Sequence, residues 1–180
     1  MVRDAATPTV MFTAERIASR VRELARQISR DYAGVDELVM VGVLRGCYIF
    51  LADLSRDLTV PRRIDFIAVS AYGIQTQPSD SLRLIMDVRS DLAGRHVLIV
   101  DDILDSGLTL NYLVQLFRAR HPASLKTCVF LRKPGRLQVD ISPDYLGFDI
   151  PDVWVVGYGL DCADRYRALP YIGQVDPRLI

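Results

Sequence analysis

A chain of 180 residues, with 50% hydrophobic and 24% charged residues, is long enough to bury one ordinary core. Lysine plus arginine and aspartate plus glutamate number 22 each, so the chain carries no net field to gather nucleic acid or anionic lipid. No apolar run approaches the roughly 20 residues of a membrane span, and residues 1–8 lack the features of a secretory signal. We therefore expect one domain over 1–180, a cytoplasmic location, and neither nucleic acid nor a membrane as partner.

Strands and helices alternate along the chain. Apolar residues at spacings of three and four predict an amphipathic helix over 13–32, with Thr13 as its N-terminal cap. Apolar runs predict strands at 37–44, 64–69, 96–100, 127–131 and 153–158, and further helices at 48–58 and through 110–117. This order predicts an α/β fold with a mainly parallel sheet flanked by helices on both faces.

Three cysteines, Cys47, Cys128 and Cys162, lie far apart in the sequence. Their odd number and wide spacing match neither a disulfide framework nor a zinc site. We expect them to be reduced thiols without a catalytic role.

Polar residues follow the apolar run 96–100, where a parallel sheet would place its ligands. They are Asp101, Asp102, Asp105, Ser106, Gly107 and Thr109. Gly107 permits a tight turn, and the first N–H groups of the next helix, with the two hydroxyls, would form an anion-binding nest. Three carboxylates beside a phosphate would repel it unless they bind something else, such as sugar hydroxyls, a metal ion or a proton in transit. A ribose phosphate meets both requirements.

Two other interpretations compete for this loop. An apolar strand ending in an acid is also typical of nucleotide triphosphatases, but those proteins need a glycine-rich loop ending in Gly-Lys-Ser or Gly-Lys-Thr, which the chain lacks. Alternatively, the acids could simply cap a helix and solvate a turn. Because strand side chains alternate, we expect Asp101 and Asp102 to point in different directions. Which of them contacts ribose or metal stays open.

The segment 97–110 resembles the phosphoribosyl pyrophosphate (PRPP) motif of the type I phosphoribosyltransferases. Further segments resemble the hypoxanthine-guanine branch of that family, in order and with family spacing, at 131–134, 147–152, 155–161, 165–167 and 169–173. The resemblance implies a sheet with a small hood formed by the N- and C-terminal segments. It also implies transfer of phosphoribose from PRPP to hypoxanthine or guanine with Mg²⁺, and assembly into homodimers or homotetramers.

The same resemblance assigns roles to individual residues. The PRPP phosphate and ribose would be held by Asp101, Asp102, Asp105, Ser106, Gly107, Leu108 and Thr109, with Asp105 as the catalytic group near purine N7. Pyrophosphate would contact Arg45, Gly46, Ala71, Tyr72 and Arg167, and the metal would be bound by Asp161, Asp101 and Asp102. The purine would contact Lys133, Trp154, Val155 and Asp161, within a base-recognising segment at about 133–175.

Lys133 is informative without the family, because Lys126 and Lys133 are the only lysines among the 22 basic residues. An ammonium donates to a single carbonyl, whereas a guanidinium prefers to fork across two oxygens. The resemblance implies that Lys133 donates to purine O6. The alternatives are a solvated lysine at a loop edge and, for Trp154, an ordinary core or rim aromatic.

Two departures from the family pattern concern the pyrophosphate side. The polar segment 70–81 predicts a mobile lid, but Ala71-Tyr72 stands where the family has Ser-Tyr. Arg45 stands where the family usually has lysine followed by two small residues, and Cys47 is larger than those residues. The resemblance also implies a cis peptide bond between Leu44 and Arg45.

Two other functions remain open. A phosphoribosyltransferase that prefers xanthine is the nearer alternative, because recognition at purine C2 depends on backbone groups. The other is an RNA-binding regulator on the same fold, which the zero net charge disfavours.

Overall fold

The computed structural model describes residues 7–71, 82–176 and 178. The helices are α1 (Ala14–Asp31), α2 (Tyr48–Asp57) and α3 (Leu108–Arg118). The strands are β1 (Thr9–Phe12), β2 (Leu38–Leu44), β3 (Arg62–Ala71), β4 (Leu82–Met86), β5 (His96–Leu104), β6 (Ser124–Arg132), β7 (Tyr145–Asp149), β8 (Val155–Val156) and β9 (Ile172–Gln174). A 3₁₀ turn covers Pro134–Arg136.

Six strands form the main sheet, in the order β4-β3-β2-β5-β6-β7. Every neighbouring pair is parallel except β3 and β4, which are antiparallel. The predicted α/β fold with a mainly parallel sheet is therefore confirmed. Within the part of the chain described, no helix is long and apolar enough to cross a membrane.

The sheet is covered on both faces because its central strands are apolar on both sides. Alternate residues such as Met40, Leu98 and Phe130 pack with α1 and α2. Their neighbours Val41 and Ile99 pack on the opposite face with residues of α3. This alternation follows from the two-residue period of a strand.

Helix α1 begins at the predicted cap. Thr13 has extended backbone angles, and its side-chain oxygen accepts the N–H of Arg16 at 3.3 Å. On the same helix, the guanidinium of Arg20 donates to the carbonyls of Leu146 and Gly147 at 2.7 and 3.0 Å. These bonds fix α1 against β7.

A second, three-stranded sheet has the order β1-β9-β8 and forms the hood. Its strands are antiparallel, with Thr9 and Val155 both opposite Gln174. The predicted strand 153–158 is wrong for most of its length, because only Val155–Val156 is extended. Gly157 (φ 93°) and Tyr158 (φ 51°) leave the extended region and turn the chain.

The sheet also extends beyond the sequence prediction. β5 continues past residue 100 to Leu104, because β6 provides ladder partners as far as Arg132. Asp101 and Asp102 therefore lie on a strand and not in a loop. The short strands β1, β4, β7 and β9 were not predicted. Most of the predicted lid, 72–81, lies outside the described residues.

Candidate active site

A cavity of about 370 Å³ lies at the carboxyl ends of β2 and β5. From β2 the chain passes through α2 to β3 on one side, and from β5 it passes through α3 to β6 on the other. Strand order reverses between these two neighbours, and such a reversal point is where open α/β sheets bind ligands.

The loop between β5 and α3 forms one wall of this cavity. Asp105, Ser106, Gly107 and Thr109 line it, whereas Leu108 is the first residue of α3 and does not. Gly107 has φ +85°, and a Cβ there would lie 2.8 Å from a methyl carbon of Val139. The turn therefore requires glycine, and it presents the start of α3 to the cavity.

Asp101 and Asp102 both line the cavity, although they are neighbours on β5. Their Oδ1 atoms accept the N–H groups of Asp102 and Ile103, each at 3.0 Å. The expected divergence of the two side chains stays a prediction, and both residues line the cavity. Burial, then the charge of Asp102, raises the pKa of Asp101 well above its usual value, and burial raises the pKa of Asp102. A cation or a donating hydroxyl would stabilise the ionised pair.

The turn after β2 meets this acid pair closely. A Cβ on Gly46 would lie 1.6 Å from Oδ2 of Asp102, so only glycine fits. The peptide bond between Leu44 and Arg45 is cis, as the resemblance implied. Arg45 and Gly46 both line the cavity.

An ionic bridge joins this turn to the segment after β8. Asp164 lies 2.9 Å from Arg45 and 3.1 Å from Arg167. Arg167 also pairs with Asp161 at 2.7 Å and donates to the carbonyl of Gly159 at 2.9 Å. Ala163, Asp164 and Tyr166 have positive φ, a conformation that is uncommon for residues other than glycine and concentrates at functional sites.

Beside the cavity, four charged side chains form a closed ring. Lys133, which is 7% exposed, places Nζ 3.6 Å from Oδ2 of Asp105 and 3.6 Å from Oδ1 of Asp152. Arg136 lies 3.0 Å from Oδ1 of Asp105 and 3.7 Å from Oδ2 of Asp152. The ring carries two positive and two negative charges.

Residues 11–163 match the family described as the phosphoribosyl transferase domain. This chain belongs to the phosphoribosyltransferase family. The hypoxanthine-guanine phosphoribosyltransferase of Dictyostelium discoideum is 46% identical over 169 residues, which are 92% of this chain and 94% of that protein. The hypoxanthine phosphoribosyltransferase of Escherichia coli (strain K12) is 44% identical over 171 residues, which are 94% of this chain and 96% of that protein.

Solved structures agree with this family assignment. The hypoxanthine-guanine phosphoribosyltransferase of Bacillus anthracis, with HEPES in its active site, has a TM-score of 0.90 and 43% identity over 95% of this chain and 100% of that one. A mutant of Trypanosoma cruzi hypoxanthine phosphoribosyltransferase, solved as a ternary substrates complex, has a TM-score of 0.89 and 45% identity, covering 94% and 96%. The predicted resemblance, fold and enzyme class are confirmed, and the family reaction depends on PRPP.

The phosphoribosyltransferase fold brings some of the predicted residues together and leaves others apart. The cavity is lined by Arg45, Gly46, Asp101, Asp102, Asp105, Ser106, Gly107, Thr109, Asp161 and Arg167. Lys133 reaches it only through Asp105. Trp154, which is 50% exposed, lines a different cavity of the hood, and Val155 is buried next to it. Ala71 ends β3, and Tyr72 lies outside the described residues.

Three charged residues of this site were not predicted, namely Arg136, Asp152 and Asp164. Asp164 lies within a segment of mixed charges, where nothing in the local pattern marks it. Asp152 follows Pro151, which suggests only a turn. Arg136 had a usable signal, because Pro134-Gly135 after a strand predicts a turn that folds the next residue back.

The carboxylates at the cavity fit a hard divalent cation in part. Over residues 7–71, 82–176 and 178, no group of three or more His, Cys, Asp or Glu side chains could hold a metal ion alone. Mg²⁺ is usually bound by one or two carboxylates, with substrate phosphates and waters completing its octahedron. Asp101, Asp102 and Asp161 can supply the carboxylates if the substrate supplies the remaining oxygens.

Proposed function

We propose that this chain transfers the 5-phosphoribosyl group of PRPP to N9 of hypoxanthine or guanine and releases pyrophosphate. The observation that carries the proposal is the contact of Asp105 with Lys133 at 3.6 Å. Asp105 belongs to the anion-binding loop and Lys133 to the end of the next strand. Their contact puts the proposed phosphoribose site and the proposed base site side by side.

The sugar phosphate would occupy the loop before α3. The hydroxyls of Ser106 and Thr109 and the first N–H groups of the helix suit a 5′-phosphate, because a helix start carries partial positive charge. Asp101 and Asp102 lie on the strand that leads into this loop, where they would accept ribose hydroxyls.

The pyrophosphate would lie toward the turn after β2. Arg45 and Arg167 supply two cations, and the backbone of Gly46 can approach the ligand closely. Mg²⁺ held by Asp161 and by Asp101 or Asp102 would neutralise the charge that develops on the leaving group. The two arginines would add to the same stabilisation.

The base would enter next to Lys133. The ammonium donates to purine O6 and so favours oxo-purines over adenine. Asp105 accepts the proton at N7 or holds it in place, which is typically worth about 10²–10⁴ in rate. Trp154 would stack on the ring, for about 0.5–1.5 kcal/mol beyond burial, and the backbone of Val155 would contact its pyrimidine edge.

In the reaction, N9 forms a bond to ribose C1 while the bond from C1 to the pyrophosphate oxygen breaks. The bonding electron pair leaves with pyrophosphate, and positive charge develops on the ribose ring. The base gives up one proton, which Asp105 would receive. The predicted lid over 70–81 would exclude water, which would otherwise hydrolyse PRPP.

We also propose, from the family alone, a homodimer or homotetramer in the cytoplasm. Light scattering coupled to gel filtration would measure the subunit number. No position in the described residues is assigned to the interface.

Release of pyrophosphate, assayed with hypoxanthine, guanine, xanthine and adenine in turn, tests the proposed reaction. We expect turnover with hypoxanthine or guanine, little with adenine, and dependence on added Mg²⁺. A preference for xanthine would reassign the base, and no turnover with any of the four would reject the function. Asp105→Asn is expected to lower turnover at least about tenfold with little change in PRPP affinity.

A further inference from the structure

Asp105, the proposed proton acceptor, is held by Arg136, a residue that was not predicted to belong to the site. Nε of Arg136 donates to its Oδ1 at 3.0 Å. We propose that Arg136 is a positioning residue of the transfer reaction, which fixes the carboxylate of Asp105 so that Oδ2 faces the base. This inference rests on the proposed function.

The backbone places Arg136 for this contact. Pro134–Arg136 forms a 3₁₀ turn directly after Lys133, and the N–H of Arg136 donates to the carbonyl of Lys133 at 3.0 Å. The N–H of Lys133 in turn donates to the carbonyl of Leu104, next to Asp105, at 3.0 Å. The turn is thereby tied to the end of β5, and the guanidinium reaches back over the loop.

The two carboxylate oxygens of Asp105 have different partners. Oδ1 accepts a hydrogen bond from Arg136, whereas Oδ2 lies 3.6 Å from Nζ of Lys133. Lys133 is equally far from Asp152, at 3.6 Å, and both separations exceed a normal hydrogen bond. Its ammonium therefore forms an ion pair with each acid but lies at hydrogen-bond distance from neither. A purine can then accept a hydrogen bond from the ammonium at O6 and reach Oδ2 at N7.

Removing Arg136 would disturb this division. Lys133 is 7% exposed, and a buried ammonium gains from direct contact with a carboxylate. Without the guanidinium, the carboxylate of Asp105 is free to rotate toward Lys133 and shorten the existing ion pair to a direct hydrogen bond. That pair would occupy the donor for O6 and the acceptor for N7 together.

A purely structural role does not account for the contact. The side chains of Arg136 and Asp105 are 50% and 41% exposed, and ion pairs at such exposure contribute little to stability. The hydrogen bond that Arg136 donates to Asp105 raises the pKa of the guanidinium. The chain also supplies a matched comparison, since Arg132 at the end of β6 pairs with Asp149 at 2.7 Å and lines no part of the cavity.

Steady-state kinetics of four proteins test the proposal, namely the wild type, Arg136→Gln, Arg132→Gln and Asp105→Asn. With saturating PRPP and hypoxanthine, we expect Arg136→Gln to lower kcat about tenfold and to leave the KM for PRPP within about twofold. Arg132→Gln is expected to keep the wild-type kcat. A kcat of Arg136→Gln equal to that of Arg132→Gln would overturn the proposal.

A double variant separates positioning from any independent effect. If Arg136 acts through Asp105, adding Arg136→Gln to Asp105→Asn should change kcat by less than about twofold. A further tenfold loss in that background would show that Arg136 acts elsewhere, and would overturn the inference. An inactive wild type would instead reject the proposed function, so the two failures are distinguishable.

Discussion

Gly159, three residues after β8 of the hood, touches the turn after β2 backbone to backbone. A Cβ on Gly159 would lie 2.0 Å from the carbonyl oxygen of Gly46. Gly46 itself lies against Asp102, where a Cβ would be 1.6 Å from the carboxylate. Hood, turn and acid pair are therefore stacked with no room for a side chain between them.

Replacement of Gly159 by alanine should open this stack. The clash with Gly46 adds to the strain of φ +103°, so we expect a larger loss of stability than in Gly34→Ala, where φ is +83° and nothing lies within 4 Å. The strain alone should cost about 1–2 kcal/mol. Urea unfolding measures both losses, and the KM for PRPP should rise in Gly159→Ala only. Equal losses with an unchanged KM would show that the contact is unimportant.

Lys133→Ala should weaken the binding of hypoxanthine and guanine while PRPP binding stays intact. The reason is that Lys133 lies at the proposed base site, whereas the anion-binding loop is made by other residues. Lys126→Ala is the matched control. Lys126 is the only other lysine, it lies away from the cavity, and it pairs with Asp31 at 3.0 Å. Calorimetric titration with PRPP and base KM values check the split. Parallel loss of PRPP and base binding would indicate a folding defect instead.

Asp164→Asn should lower the KM for PRPP about two- to fivefold, the range expected when an exposed ion pair is removed. Arg167, then Arg45, holds the pKa of Asp164 below its usual value, so it is ionised at neutral pH and competes with pyrophosphate for both guanidiniums. Glu23→Gln, which removes the acidic partner of Arg20 on α1, is the control and should leave KM unchanged. A raised KM in Asp164→Asn would mean that Asp164 orders the arginines and does not compete.

Asp65 should make stability depend on pH. Burial raises its pKa, but hydrogen bonds from Ser90, Phe66 and Arg89 outweigh burial and hold the pKa below the usual value. A lowered folded pKa stabilises the protein above the unfolded value of about 3.9, and this contribution is lost as pH falls through the folded pKa. Asp65→Asn should cost about 1–3 kcal/mol at pH 7 and less near pH 3.

Urea unfolding at both pH values measures this difference. Asp57→Asn, an exposed change at the end of α2, is the control and should have little effect at either pH. A loss for Asp65→Asn that is the same at pH 7 and pH 3 would contradict the assignment.

Local patterns predicted the central strands and the loop before α3, because apolar runs and a glycine turn are encoded in a few consecutive residues. β7 was not predicted, since Gly147 interrupts the pattern and the strand exists through its pairing with β6. A Cβ on Gly147 would lie 2.1 Å from the carbonyl oxygen of Phe130, a contact between distant residues.

For the candidate site, too, the sequence predicted what consecutive residues encode and not what depends on contacts between distant residues. Residues that follow strands directly, such as Asp105 and Lys133, were predicted as candidates, and these two lie in contact in the fold. Arg136 and Asp164 were not, because one exposed charge in a loop resembles another in sequence. Their contacts depend on which loop folds back onto which strand end.

The pairing of β1 with β9 ties the segment proposed to hold the base to the first described strand of the chain, with Thr9 opposite Gln174. β9 also pairs with β8, which follows Trp154 directly. If Trp154 stacks on the base as proposed, a substitution at residues 10–12, which do not line the cavity of Trp154, is expected to loosen this stacking surface and to alter base preference. In a mutational screen scored by activity alone, such positions would be mistaken for members of the binding pocket.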